Sequence, residues 1–229
     1  MQPRFVGRLG VADAVTAANA ALGFVAVVAA TVDVALAARL VLLAAIADGL
    51  DGVLARRYGG TPAGEHLDSL ADVASFSVAP AFLVAVVARN AWSFESAWGL
   101  VALAACAVFV AAGVVRLGLY TAYDTGNDHT EGVPTTLAAT LLAAGVLAGV
   151  GDPRIAVAAI SILTVLMVSS ITYPDLYSRD ALAMGAVQAA AVLAPTLGPR
   201  LFPRVLLAWA CAYLLLAPRF YWRGEGKRS

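Results

Sequence analysis

Charge is what this sequence has least of. Asp, Glu, Lys and Arg make up 13% of its 229 residues, against about 25% in a soluble domain. So little charge excludes a water-facing surface over most of the chain. What charge there is balances, 15 basic residues against 15 acidic, and a neutral chain has no basic face for a nucleic acid. Cysteine is nearly absent. Cys106 and Cys211 each lie within an apolar run, where a thiol behaves as a small hydrophobe rather than as half of a disulfide or a metal ligand. Lysine occurs once, at Lys227. No linker or shift in composition marks a second domain, and no internal repeat suggests a transporter built from two halves.

Apolar residues fill the space that charge leaves. They account for 61% of the chain, and the mean hydropathy is +0.83. A bilayer-crossing helix needs about 20 mostly apolar residues, and eight such segments are predicted, near 13–32, 34–57, 65–88, 97–119, 134–150, 154–172, 181–197 and 204–218. The fold expected is all-α, a polytopic integral membrane helix bundle. Arg4 and Arg8 ahead of the first segment imitate a secretory leader. Because apolar segments continue to the end, a first transmembrane helix that stays attached is expected instead. With eight crossings both termini share one side. That side carries Arg4, Arg8, Arg56, Arg57, Arg116, Arg179, Arg219, Arg223, Lys227 and Arg228, whereas the other keeps Arg89, Arg154, Arg200 and Arg204. The positive-inside rule then makes it the cytoplasmic side. Trp92, Trp98, Trp209 and Trp222 suit membrane interfaces or lipid-facing positions.

Against this background, "ADGLDGVLARRYGGTPAGEHLDSLADVASF" (47–76) is anomalous. At 100° per residue Asp48, Asp51, Gly52 and Ala55 share an arc of the second helix. Asp68 and Asp72, four apart, share a face of the third, with Ser75 and Ala79 continuing it. A short turn makes the two helices antiparallel neighbours whose acidic faces meet. One acidic side chain at mid-bilayer costs roughly 2.5–3.5 kcal/mol, and Arg56 and Arg57 do not balance four. Divalent cations do. An all-oxygen ligand set favours Mg²⁺, Mn²⁺ or Ca²⁺ over zinc. Small Gly52 and Ala55 leave room for a ligand against the backbone, and Arg56 offers a fixed fork for a phosphate. The plain alternative is a set of interfacial charges that end two helices. Four at these spacings point instead to a metal-bound phosphate site at the cytoplasmic surface.

These residues resemble the signature of the CDP-alcohol phosphatidyltransferase family, D-x-x-D-G-x-x-A-R followed by G-x-x-x-D-x-x-x-D. Here it runs Asp48, Asp51, Gly52, Ala55, Arg56, Gly64, Asp68 and Asp72. The family usually has one more residue between the arginine and the second glycine. The missing one falls in the turn, where length changes are best tolerated. The resemblance implies attack of a hydroxyl on the lipid-linked phosphorus of a CDP-activated lipid, with CMP released. It implies two metal ions held by Asp48, Asp51 and Asp68 with Asp72 touching the metal, and Asp72 as the base that takes the hydroxyl proton. It also implies CDP contacts from Gly52, Ala55, Arg56 and Gly64, and a homodimer.

Further stretches resemble the phosphatidylserine synthase branch: "DSLADVASFSVAPA" (68–81), with Ser77 where a glycine is common, "VVRLGLY" (114–120) with "EGVPTT" (131–136), and "LMVSSITYP" (166–174). "TAANAALGF" (16–24) fits more loosely. The branch implies a six-helix core within residues 1–175, followed by two additional helices and a basic tail over 176–229. It implies L-serine as acceptor and CDP-diacylglycerol or CDP-archaeol as donor. Arg116 is the candidate for the acceptor carboxylate or a phosphate, its alternative a snorkelling helix-end arginine. Asp128, His129 and Glu131 are weaker candidates for the ammonium, and His66 and Arg39 have no assigned role. Two rival readings stay open: the same chemistry on glycerol phosphate or an inositol phosphate, and a cation transporter. A transporter needs acidic residues continuing across the bilayer, and beyond the cluster they fall in loops.

Overall fold

The computed structural model describes residues 7–124 and 129–222, so Arg4, Asp128, Arg223, Lys227 and Arg228 lie outside the described residues. Among those described, eight helical rods follow one another. They are α1 (Val11–Ala30), α2 (Val34–Tyr58), α3 (Gly64–Ala91), α4 (Ala97–Leu119), α5 (Thr135–Ala148), α6 (Pro153–Met167), α7 (Ser178–Leu193) and α8 (Leu201–Phe220). Four stretches, Val11–Ala30, Gly64–Ala91, Ala97–Tyr123 and Leu201–Phe220, are long and apolar enough to cross a membrane. Phe24, Val28, Val108, Val165 and Leu215 are among many large apolar side chains left exposed, as lipid-facing positions require. The chain is an integral membrane helical protein.

Local chemistry sets the ends of the rods. Asp33 caps α2 by accepting from the backbone N–H groups of Ala35 and Leu36 at 2.8 and 3.2 Å. Ser96 caps α4, and Asp152 caps α6 ahead of Pro153, each satisfying an orphan N–H of a first turn. The sequence placed the seventh segment over 181–197. It stops instead at Leu193, because Ala194 precedes Pro195 and that position disfavours the helical region. Likewise the sixth ends at Met167 rather than 172. Residues Thr172–Pro174 form strand β2, antiparallel to β1 (His129–Glu131), with Thr130 opposite Tyr173. This small ladder is a local addition to an otherwise all-α bundle. Gly132 makes it possible. Its φ of +75° suits glycine, and a Cβ there would lie 2.1 Å from the Met167 carbonyl oxygen.

α3 is not uniform. Gly64–Asp72 and Ala79–Ala91 are α-helical, whereas Val73–Val78 is π-helical. The wide turn sits directly ahead of Pro80, which lacks an N–H and clashes with the carbonyl four residues back. Widening accommodates that clash without breaking the rod. Within this turn Ser75 meets α1 and donates to the Asn19 carbonyl at 2.8 Å.

Two clusters form the core. One gathers α1, α2, α3 and α5, with Ala191 of α7 and Leu206 of α8, around Val41, Leu42, Phe76 and Leu83. The other joins α3 to α6 around Phe109, Leu142, Ile160 and Tyr173. Small residues let the rods approach, as membrane interfaces require. A Cβ on Gly23 would sit 2.8 Å from the Ser75 Cα. Longer polar ties also cross the bundle. Arg39, inside α2, donates to the Val192 carbonyl at 2.7 Å, a cation at the C-terminal end of α7. Gln188 donates to the Leu42 carbonyl at 2.9 Å.

Ser77 and Gly113 share one such tight contact, a Cβ on Gly113 falling 2.2 Å from the Ser77 Oγ. Gly113→Ala is expected to destabilise the detergent-solubilised protein by about 1–3 kcal/mol through overpacking. Combining it with Ser77→Gly should recover most of that loss. A thermal-melting double-mutant cycle measures the coupling, and strict additivity would contradict this contact.

Candidate active site

The chemistry-bearing residues gather at one end of the bundle because successive rods end and begin there in turn. Asp48 and Asp51 lie in the last turns of α2, and Asp68 and Asp72 in the first turns of α3. Arg116 lies in the last turn of α4, and Thr136 in the first turn of α5. Trp92 and Trp98, whose ring centroids are 6.1 Å apart, stand about 30 Å along α3 from Asp72, at the opposite end.

Carboxylate oxygens of Asp48, Asp68 and Asp72 all lie within 4.8 Å of one another. Asp72 is buried, and its Oδ1 has no hydrogen-bond partner. Thr136 reaches the Asp48 carboxylate. At 4.8 Å and an effective dielectric near 20, two like charges repel by about 3.5 kcal/mol. Three mutually close carboxylates with an orphaned oxygen make a poor resting state and a good hard-cation site. The residues present fit a divalent metal.

Asp51 stands apart from that trio in its bonding. It is buried, and its Oδ2 accepts from the Thr16 hydroxyl of α1 at 2.7 Å. Arg56 is exposed, one turn from Gly52, where a Cβ would approach its guanidinium to 3.6 Å. Gly64 packs against Asp13, whose Oδ1 would be 3.4 Å from a Cβ there. His66 is exposed.

Asp48, Asp68, Asp72 and Arg116 line a cavity of about 210 Å³, together with Tyr120, Thr130, Pro134, Thr136 and Asp175. Among the lining residues Arg116 is the one basic side chain. It is buried, donates to the Thr130 hydroxyl at 3.2 Å and lies over the Tyr120 ring. An arginine so placed does not snorkel into solvent. At 210 Å³ the cavity is smaller than the roughly 300–1,000 Å³ of drug-sized pockets, a size suited to a small polar molecule. A second cavity of about 330 Å³, at the far end beside Asn90 and Gly151, has no charged lining residue.

Several site residues escaped the sequence reading. Asp13, Thr16 and Asn19 recur at intervals of three along α1, and all are buried. Asp13 accepts from the Gly10 N–H at 2.7 Å and the Thr61 hydroxyl at 2.9 Å, fastening the α2–α3 turn to α1. That polar stripe on an otherwise apolar helix was the available signal. Thr130 of β1 and Thr136 in the first turn of α5 are near each other in the chain, whereas Asp175 follows β2, and only the fold brings it to them.

A family model for CDP-alcohol phosphatidyltransferase matches residues 9–216. The chain belongs to that family. CDP-alcohol phosphatidyltransferases are generally divalent-cation dependent, in keeping with the carboxylate cluster. Among relatives, the archaetidylserine synthase of Methanothermobacter thermautotrophicus is 31% identical over 71% of this chain and 68% of its own length. The CDP-diacylglycerol–serine O-phosphatidyltransferase of Helicobacter pylori is 33% identical over 70% of each chain. A Methanocaldococcus jannaschii protein of the same name is 33% identical over 59% of this chain and 62% of its own length.

The Thr16–Asp51 hydrogen bond reaches the carboxylates from outside their own helices. In this phosphatidyltransferase Thr16→Val should raise the Mn²⁺ concentration for half-maximal activity about tenfold, the lower end of outer-shell effects. Melting temperature should change little. A metal titration of the variant checks this, and an unshifted midpoint would deny Thr16 that role.

Proposed function

We propose that this enzyme transfers a phosphatidyl or archaetidyl group from CDP-diacylglycerol or CDP-archaeol to the hydroxyl of L-serine, releasing CMP. The observation that carries this reading is the cavity itself, which sets three carboxylates beside a single buried arginine. Relatives named for serine transfer support the choice of alcohol. Glycerol phosphate or an inositol phosphate would bring a second phosphate, and a cavity with one basic lining residue is poorly equipped to hold it.

Asp48, Asp51, Asp68 and Asp72 would hold two divalent cations, Mg²⁺ or Mn²⁺, and the pair would supply positive charge to neutralise the diphosphate. Gly52, Ala55 and Arg56 receive the CDP portion, with Gly64 near the base. Asp72, whose Oδ1 is buried and unpartnered, takes the proton from the serine hydroxyl. As the serine oxygen bonds to the lipid-linked phosphorus, the bond from that phosphorus to the CMP oxygen breaks and CMP leaves with the electron pair. Arg116 meets the serine carboxylate or the transferring phosphate.

All eight rods cross or enter the cell membrane in this reading, with the aspartate end at the cytoplasmic face where serine and CDP arrive and depart. Residues 1–175 carry the catalytic core, 176–229 support it, and the working unit is a homodimer. Inside the rods the acidic residues stop at the aspartate end, and those at the opposite end, Asp33, Glu95 and Asp152, lie at caps and turns, which argues against a transmembrane cation path.

Asp72→Asn removes the proton acceptor and is expected to lower serine-dependent CMP release by about 10²–10⁴-fold, the usual range for a general base. Chelation should abolish the release altogether. Purified protein, CDP-lipid, Mn²⁺ and labelled serine provide the assay, scored by CMP and labelled lipid together. Turnover with glycerol phosphate but not serine would reject serine as the acceptor while keeping the aspartate chemistry.

A further inference from the structure

The acceptor cavity contains a fourth acid that the metal cluster does not include. Asp175 lines it along with Arg116, Thr130 and Asp72, yet stands apart from the trio of close carboxylates. It follows β2 directly and is exposed, so a water-borne molecule reaches it from outside the bundle. Serine is a zwitterion. Its recognition calls for one cation and one anion at a fixed separation, the cation opposite its carboxylate and the anion opposite its ammonium.

The fold supplies that fixed separation. Arg116 donates to Thr130 at 3.2 Å, and Thr130 is paired with Tyr173 across the β ladder. Two residues beyond Tyr173 is Asp175. The two charges are therefore joined through a short ladder rather than through a loose loop. From the other side α8 anchors the same segment. The Tyr173 hydroxyl donates to the Leu214 carbonyl at 3.2 Å, and the Tyr213 hydroxyl to the Pro174 carbonyl. Tyr221 accepts from the Tyr177 N–H at 3.1 Å and donates to Asp180. Tyr173 of β2, Tyr213 of α8 and Tyr221 just beyond α8 thus tie the chain on both sides of Asp175 to the last helix.

We propose that Asp175 selects the acceptor, its carboxylate receiving the ammonium of an amino-acid alcohol whose carboxylate lies on Arg116. This rests on serine as the acceptor. Asp175 determines specificity here and has no part in proton transfer.

The test uses the full chain in detergent with CDP-lipid and saturating Mn²⁺. CMP release is measured against L-serine and against 3-hydroxypropanoate, which is serine without its ammonium. Asp175→Asn is expected to raise the KM for serine about tenfold or more, as loss of a charged hydrogen bond would. The KM for CDP-lipid and the Mn²⁺ midpoint should stay within about twofold. The preference of the wild type for serine over 3-hydroxypropanoate should largely vanish in this variant. Asp175→Glu, which keeps the charge, should recover part of the serine affinity, and it decides the matter if Asp175→Asn melts early. An unchanged serine KM, or a shift confined to the Mn²⁺ midpoint, would overturn the proposal. Absence of serine-dependent CMP release from the wild type would reject the acceptor reading, and this inference with it.

Discussion

Mutual repulsion among close carboxylates is the constraint to which the rest of this structure answers. Asp48, Asp68 and Asp72 are brought within 4.8 Å by two antiparallel rods, and nothing in their own chemistry keeps them there. The restraint comes from outside the rods that carry them. Helix α1 lies along both, its glycine at 23 letting the backbone of α3 come close, its Thr16 holding Asp51, and its Asp13 fastening the intervening turn. Such a frame suits chemistry on a diphosphate, because electrostatic stabilisation counts for most when the groups supplying it need not reorganise.

The remaining helices divide the work. α4 and α5 deliver Arg116 and Thr136 to the rim of the same cavity, and the β ladder ties the segments after α4 and α6 to each other. The last pair faces two ways. At one end Arg39 and Gln188 lock α7 to α2, and at the other Tyr213 of α8 and Tyr173 of β2 tie β2 to α8. A bundle in lipid gains little from apolar contact between helices, since lipid tails are as apolar as the side chains. Sparse polar ties of this kind are what give it a unique arrangement.

Much of this was legible in the residues. Apolar runs located all eight rods, and the spacing of Asp48, Asp51, Asp68 and Asp72 located the site, because carboxylates in apolar helices are too costly to be incidental. Two kinds of feature were hidden. Helix ends at Met167 and Leu193 depend on a ladder and a proline that a hydropathy run passes over. Residues such as Thr130, Thr136 and Asp175 mean nothing locally and acquire a role only when distant connections converge. The assumption of 100° per residue also fails at one place, Val73–Val78, where the turn is π-helical.

That wide turn has a consequence for how the family signature can vary. A π-helical turn accommodates one residue more than an α-helical turn does, so it acts as a phase adjuster between the two halves of α3. The half bearing Asp68 and Asp72 is set by the catalytic cavity, and the half bearing Leu83 and Val86 by the hydrophobic core. Uncoupling the two lets either side change its packing without dragging the other around the helix axis. Lipid-facing and core-facing surfaces are therefore free to drift in sequence while the aspartates keep their aim.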